Sequence, residues 1–208
     1  MNKVLQWSMA STAVILLCLA SYAYADIPVA RWFHQFDHTR LYELFSLITL
    51  LGDSLVYLVG GMVLFLLFRH KKVYRATVGL FLFSTVATSG LVADLVKFIA
   101  GRARPVLYFN ENFYGFTFFQ TAKVWTSFPS GHSATALSVA MLLAILYPRC
   151  RVVSLCIGFL VAFSRIFLAQ HYVSDVIAGS LLGIATTALL YTCFFKPKFE
   201  SLNHGATL

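Results

Sequence analysis

The run VYRATVGLFLFSTVATSGLVADLVKFIA, residues 73–100, decides the fold class of this chain. It contains 28 residues and only three charged side chains, those of Arg75, Asp94 and Lys97. The hydrocarbon core of a bilayer is about 30 Å thick and is crossed by about 20 apolar residues in a helix. The run is therefore predicted to be a transmembrane helix.

The composition of the whole chain points the same way. Of its 208 residues, 59% are hydrophobic and 12% are charged, whereas soluble domains have roughly 45–50% and about 25%. Six segments are long and apolar enough, or nearly so, to cross a membrane: Trp7–Ala25, Leu55–Phe68, Val73–Ala100, His132–Tyr147, Val152–Leu168 and Tyr172–Phe195. We predict an all-α polytopic membrane protein, a six-helix transmembrane bundle that forms a single domain over residues 1–208.

The stretch Asp26–Asp53, between the first two spans, has apolar residues at helical spacing and is predicted to be an amphipathic helix in the membrane interface. Its last part could instead belong to the second span, which is short. The first span resembles a signal peptide, because Lys3 precedes an apolar core that ends in Ala23-Tyr24-Ala25. We expect this span to be retained as an anchor.

The positive charge is best explained by membrane topology. The formal net charge is +8, and nine of the basic residues form compact clusters beside span ends: Lys3, Arg69, Lys71, Lys72, Arg75, Arg149, Arg151, Lys196 and Lys198. The positive-inside rule then places both termini in the cytoplasm. Because the basic residues lie in short membrane-flanking loops, no nucleic-acid partner is predicted. The signal-like N-terminus and short cytoplasmic termini favour a bacterial inner membrane.

The opposite, outer face collects cations that suit a phosphate-sized anion. Lys97, Arg104 and Arg165 fall near the same membrane face, and a guanidinium group matches phosphate oxygens with two parallel hydrogen bonds. Ser130 and Gly131 precede a predicted helix, so a hydroxyl and free backbone N–H groups could add donors. We predict that an anion binds here.

The histidines of this face suit phosphoryl transfer. His171 and Asp175 are four residues apart on a predicted helix, so the carboxylate could hold one ring nitrogen and leave the other free as a nucleophile. His132 is a second imidazole that could protonate a leaving alcohol. Below these groups, rows of small residues at intervals of four predict close helix packing and bundle-facing histidines.

No cofactor or metal is predicted. The outer face has no cluster of carboxylates for a metal pair, and its cations could neutralise developing negative charge themselves. Cysteines occur singly, without the spacing of a zinc or redox site, and are interpreted as packing residues: Cys18, Cys150, Cys156 and Cys193.

These residues, in this order, resemble the three signatures of the type-2 phosphatidic acid phosphatase superfamily. The signatures K-x6-R-P, P-S-G-H and S-R-x5-H-x3-D match at Lys97–Pro105, Pro129–His132 and Ser164–Asp175. All eleven specified positions agree, within the core 97–175.

The resemblance implies a metal-independent phosphatase in which His171 is transiently phosphorylated, Asp175 orients it and His132 is the general acid. It implies that five further residues hold the phosphate: Lys97, Arg104, Ser130, Gly131 and Arg165. Members of the family that act on lipids have their site at the outer membrane surface, as the predicted orientation requires.

Several residues have more than one interpretation. Asp94, three residues before Lys97, is predicted to form a structural ion pair or to tune the anion site. Arg102 could meet lipid headgroups or substrate. The loop Val106–Phe128 carries nine aromatic residues, which favour interfacial anchoring or a lid over the substrate.

The sequence leaves the substrate and the final acceptor open. A lipid phosphate monoester or pyrophosphate is predicted, from glycerolipid phosphates, polyprenyl pyrophosphates such as the undecaprenyl carrier, or lipid A. Transfer of phosphate to another lipid, a vanadate-dependent haloperoxidase-like oxidation and simple lipid binding are the alternatives. The oligomeric state is not predicted.

Overall fold

A computed structural model describes residues 3–204, and within that range the chain is helical with no β-strand. The helices are α1 (Lys3–Ala20), α2 (Asp26–His34), α3 (Arg40–Ile48), α4 (Ser54–Phe68), α5 (Val73–Ala100), α6 (Pro105–Glu111), α7 (Gly131–Leu146), α8 (Arg151–Phe167), α9 (Val173–Leu190) and α10 (Lys196–His204). Short π- or 3-10 turns connect several of them. The two chain ends, predicted to be cytoplasmic, lie outside the described residues.

Five helical segments are long and apolar enough to cross a membrane: Thr12–His34, Arg40–Phe68, Val73–Ala100, Pro148–Phe167 and Val173–Leu202. A sixth apolar helix, Gly131–Leu146, is shorter, with 16 residues. The predicted all-α membrane fold is confirmed, and the count of six spans holds only if this shorter helix is included.

The first two spans are longer than predicted. A π-turn at Ser21–Ala25 joins α1 to α2, and a 3-10 turn at Thr49–Gly52 joins α3 to α4. The stretch predicted to be an interfacial helix is helical, but it is divided between these two segments. The spacing of apolar residues in Asp26–Asp53 is helical throughout. Spacing alone therefore could not show where the first span ended and the second began.

Helix α7 lies at the centre of the bundle and packs against α5, α8 and α9. Its neighbours approach closely because they present glycine. A Cβ on Gly183 of α9 would lie 2.2 Å from the carbonyl oxygen of Ala134, and one on Gly158 of α8 would lie 2.6 Å from the Cβ of Ala140. The prediction that small residues below the histidines face the bundle interior is confirmed.

Polar side chains inside the bundle are hydrogen-bonded across helices. The hydroxyl oxygens of Thr85 in α5 and Thr187 in α9 are 2.6 Å apart, and Ser138 in α7 donates to Ser89 in α5 at 3.1 Å. Such bonds join helices where no water competes, and model peptides assign each about 1–2 kcal/mol. The first bond joins α5 to α9, and the second fixes the rotation of α7 relative to α5.

The prediction that the cysteines are packing residues is wrong for three of the four. Cys18 is partly buried, whereas Cys150, Cys156 and Cys193 are exposed on the outside of the bundle. Apolar residues of a membrane helix face lipid as well as the interior, so an apolar segment does not by itself place a cysteine inside.

Three local features bring the signature residues together. Gly101 ends α5 with a φ of +54°, and the backbone of Phe118 lies 2.6 Å from where a Cβ would stand, so glycine is required there. Pro105 occupies the first turn of α6. The Ser130 hydroxyl caps α7 by accepting from the Ser133 backbone N–H at 3.4 Å.

The close approach of α7 and α9 predicts opposite effects for two glycine substitutions. Gly183→Ala places a methyl group against backbone and should destabilise the protein by about 1–3 kcal/mol. Gly90→Ala in α5 has open space around the new Cβ and should be stabilising by up to about 1 kcal/mol through helix propensity. Thermal unfolding in one detergent measures both, and equal Tm values for the two variants would contradict the packing.

Candidate active site

The three signature segments converge on one cavity at the end of the bundle that carries α6. It has a volume of about 310 Å³ and is lined by Lys97, Arg104, Lys123, Gly131, His132, Arg165, Gln170 and His171. Six of the eight predicted site residues line it, and the other two, Ser130 and Asp175, are buried behind it. A larger groove of about 480 Å³ between α1, α8 and α9 is lined by apolar residues and one serine, so it offers no titratable group.

Three of the four cations that line the cavity are held by neutral partners or by one exposed acid. Arg165 is 5% exposed and donates to the Thr49 hydroxyl at 2.7 Å. Arg104 donates to the carbonyl oxygen of Thr126 at 3.4 Å. Lys97 Nζ lies 2.8 Å from Asp94 Oδ1, which confirms the predicted ion pair of Asp94.

Both guanidinium groups retain unused hydrogen-bonding capacity. Among the described residues, the buried Nε atoms of Arg104 and Arg165 have no hydrogen-bond partner. Burial lowers the pKa of Arg104, and the carboxylate of Asp175 only partly opposes this effect. Two poorly solvated cations with unpaired donors form a site that gains stability when an anion enters.

The N-terminus of α7 leaves space for the amine of Lys97. A Cβ at position 131 would lie 3.0 Å from Lys97 Nζ, so Gly131 leaves room for the amine above the helix end. Ser130 is fully buried and accepts from the hydroxyl of Ser133 at 2.8 Å, while its backbone N–H donates to the carbonyl oxygen of Asp175 at 3.0 Å. Ser130 thus ties α7 to α9 directly behind the cavity.

His171 is buried and its ring is fixed by a backbone carbonyl. Its Nδ1 lies 2.8 Å from the carbonyl oxygen of Ser127, an arrangement in which Nδ1–H donates and Nε2 keeps its lone pair. Burial lowers the pKa of His171 to about 3, against the opposing effect of nearby Asp175. The ring is therefore neutral at physiological pH, the form required of a nucleophile.

The expected contact between Asp175 and His171 is replaced by an indirect one. Asp175 Oδ2 lies 3.6 Å from His171 Nδ1, too far for a hydrogen bond, and accepts instead from the Ser127 hydroxyl at 2.6 Å. The reason is that α9 begins at Val173, so His171 precedes the helix and the spacing of four residues is not helical. Asp175 is therefore linked to the ring through Ser127, whose hydroxyl donates to Asp175 and whose carbonyl oxygen accepts from His171.

His132 lies in the first turn of α7 and lines the same cavity as His171. Space for its ring is left by Gly52, where a Cβ would lie 3.0 Å from two carbon atoms of His132. The two imidazoles thus reach the cavity from different segments, His132 from the first turn of α7 and His171 from the turn before α9.

The interpretations of Arg102 as a ligand of lipid headgroups or substrate are both wrong. Arg102 is 1% exposed and forms buried ion pairs with Asp26 and Asp175. Tyr114 also contacts this group, donating to Asp26 at 3.0 Å. Sequence position could not show this, because Asp26 lies 76 residues before Arg102 along the chain.

The aromatic loop serves two purposes. Several of its rings surround the Arg102 guanidinium together with Tyr22 and Tyr172, at 4.9–5.9 Å from the ring centroids: Tyr114, Phe116 and Phe128. Phe118 and Phe119 are instead 57% and 67% exposed. Packing around a buried cation was not predicted, whereas the exposed pair suits the predicted interfacial anchoring.

Sequence reasoning missed two residues that line the cavity and one that positions its histidine. Lys123 and Gln170 line the cavity but belong to no signature. Ser127 holds both His171 and Asp175. Their only signal was proximity to the signatures, since Lys123 and Ser127 shortly precede Pro129 and Gln170 immediately precedes His171.

The part of the chain that contains the three signatures matches a known protein family. The family model of the PAP2 superfamily matches residues 78–199. A lipid A 1-phosphatase of Rhizobium etli is 37% identical over 126 residues, 59% of this chain and 54% of that protein. The bacitracin transport permease protein BcrC of Bacillus licheniformis is 32% identical over 82 residues, 39% of each chain. The chain spans about half the length of the lipid A 1-phosphatases it matches.

Solved structures share the fold. The PAP2-type phosphatidylglycerolphosphate phosphatase of Bacillus subtilis aligns with a TM-score of 0.65 and 25% identity, covering 90% of this chain and 96% of that one. Aquifex aeolicus LpxE aligns with a TM-score of 0.56 and 20% identity, covering 79% and 93%. The second likeness concerns the fold alone.

The buried ring of His171 predicts an unusual titration. Its pKa of about 3 in the folded protein lies below the ordinary value of about 6.5. The unfolded chain therefore binds the proton first, and folding stability from this group is lost as the pH falls from about 6.5 towards 3. The imidazole ¹⁵N NMR signals that are present in wild type and absent in His171→Ala belong to His171. At pH 5 these signals should be those of a neutral ring with protonated Nδ1. A midpoint between pH 6 and 7 would contradict the burial.

Proposed function

The chain belongs to the PAP2 superfamily, and from this membership we propose that it is an integral membrane phosphatase acting on a lipid phosphate monoester or pyrophosphate. The observation that carries the proposal is the composition of one cavity. Two imidazoles and four cations line it, and no acid does so among the described residues. Such a cavity attracts a dianionic phosphoryl group and offers it both a nucleophile and a proton donor.

The phosphate-binding roles are assigned to the residues with unused donors. Arg104 and Arg165 would use their unpaired Nε atoms on the phosphoryl oxygens, and Lys97 would add a third cation. Gly131 would contribute its backbone N–H group at the start of α7. We assign Ser130 to the same group, where it would act by capping α7.

The reaction would proceed in two displacements. His171 Nε2 attacks phosphorus, the N–P bond forms, and the bond between phosphorus and the lipid oxygen breaks while protonated His132 gives its proton to that oxygen. Water then attacks phosphorus, neutral His132 takes a proton from it, and the N–P bond breaks to release phosphate and restore His171. The cavity cations would neutralise charge on the phosphoryl oxygens in both steps, and we propose that no metal ion is needed.

The substrate is proposed from the relatives. The matched Rhizobium proteins are named lipid A 1-phosphatases, which makes lipid A the first candidate. Glycerolipid phosphates and undecaprenyl pyrophosphate are the further candidates, because the cavity would contact the phosphoryl group that all three share. We place the site at the outer leaflet of a bacterial inner membrane with both termini cytoplasmic, on the distribution of basic residues.

Phosphate release in detergent tests this function. With EDTA present, wild type should release phosphate from at least one of lipid A, phosphatidic acid, phosphatidylglycerol phosphate and undecaprenyl pyrophosphate. His171→Ala should lower kcat by several orders of magnitude, because it removes a covalent nucleophile.

His34→Ala is the matched control, since His34 is exposed and paired with Asp37 away from the cavity. It should retain wild-type activity. Equal rates for wild type and folded His171→Ala would refute the mechanism. Radiolabel that passes to an added lipid alcohol rather than to water would identify a phosphotransferase instead.

A further inference from the structure

Behind the cavity, one cation and two carboxylates lie where water does not reach. Arg102 and Asp26 are each 1% exposed, and Asp175 is 0% exposed. In such surroundings, charges act on each other far more strongly than at a surface. The charge balance of this group therefore affects any ionisable group next to it.

The contacts form a chain from helix α2 to the nucleophile. Asp26 Oδ2 accepts from Arg102 Nη2 at 2.6 Å, and Arg102 Nη1 donates to Asp175 Oδ1. Asp175 Oδ2 accepts from Ser127 at 2.6 Å, and the Ser127 carbonyl oxygen accepts from His171. The two carboxylates thus flank the guanidinium, and only Asp175 faces the imidazole.

With both carboxylates ionised, the group formed by Asp26, Arg102 and Asp175 has a net charge of −1. Without Asp26, Arg102 would cancel the charge of Asp175. Asp26 is itself held by Ser174, whose backbone N–H donates at 2.9 Å and whose hydroxyl donates at 2.5 Å. It lies in α2, outside the residues matched by the family model.

We propose that Asp26 and Arg102 are positioning residues that set the charge facing His171, with Asp26 keeping the buried group at −1. The inference rests on the proposed function, in which His171 Nε2 becomes bonded to phosphorus. As that bond forms, the ring, which keeps its Nδ1 proton, gains positive charge. A group of net charge −1, whose Asp175 Oδ2 lies 3.6 Å from Nδ1, stabilises this charge more strongly than a neutral group does.

Variants that remove and then restore the net charge of this group distinguish the proposed role from simple packing. Asp26→Asn makes the group neutral and should lower kcat about tenfold or more with little change in KM, since each factor of ten is about 1.36 kcal/mol of barrier. The double variant Asp26→Asn with Arg102→Gln returns the group to −1 through Asp175 alone. It should therefore turn over faster than Asp26→Asn, although it has lost one more native contact.

A second comparison covers the case in which the double variant does not fold. Asp26→Glu keeps the charge but changes the size, and Asp26→Asn keeps the size but loses the charge. Charge control predicts a higher kcat for Asp26→Glu, whereas packing predicts a higher kcat for Asp26→Asn. Asp37→Asn, which removes an acid just beyond α2 that pairs with His34, is the control and should match wild type.

The experiment uses full-length protein in detergent, the lipid panel described above and a Tm for each variant. A folded double variant no faster than Asp26→Asn, or an Asp26→Asn variant at least as active as Asp26→Glu, would overturn the inference. Failure of wild type itself to release phosphate from any lipid would instead refute the proposed function. The two failures are thus distinguished by the wild-type rate.

Discussion

The carboxylate of Asp175 is the point at which the segments that build the cavity are tied together. It accepts from Arg102 of the first signature segment, from the Ser127 hydroxyl just before the second, and from the Tyr172 backbone N–H at the start of α9. A buried carboxylate needs this many donors because burial without them would cost several kcal/mol. Because these donors satisfy Asp175, its carboxylate forms no ion pair with the cavity cations Arg104 and Arg165.

The membrane setting explains why the remaining structure is built as it is. Helices that meet in lipid gain stability from close contact and from hydrogen bonds rather than from the hydrophobic effect. Gly183 and Gly158 allow that contact with α7, and Thr85 and Thr187 supply a hydrogen bond between α5 and α9. This packing holds the first turn of α7, with His132 and Gly131, in fixed relation to the segment that carries His171.

Sequence reasoning succeeded where the signal was local. Apolar runs identified the helices, and motif spacing identified six residues that line one cavity. It failed where partners are distant along the chain: Asp26 lies 148 residues from Ser174 and 76 from Arg102, and no spacing rule links them. It also failed at a helix start, because the spacing of His171 and Asp175 fits a helix that begins only at Val173.

The central claim is that His171 carries the phosphoryl group during turnover. Wild type mixed rapidly with a radiolabelled lipid phosphate that it hydrolyses, then quenched in alkali to preserve phosphohistidine, can be digested and sequenced by mass spectrometry. We predict label on the peptide that contains His171, bonded to Nε2, and none in His171→Ala. Phosphate release at the wild-type rate with no label on His171 would contradict the account.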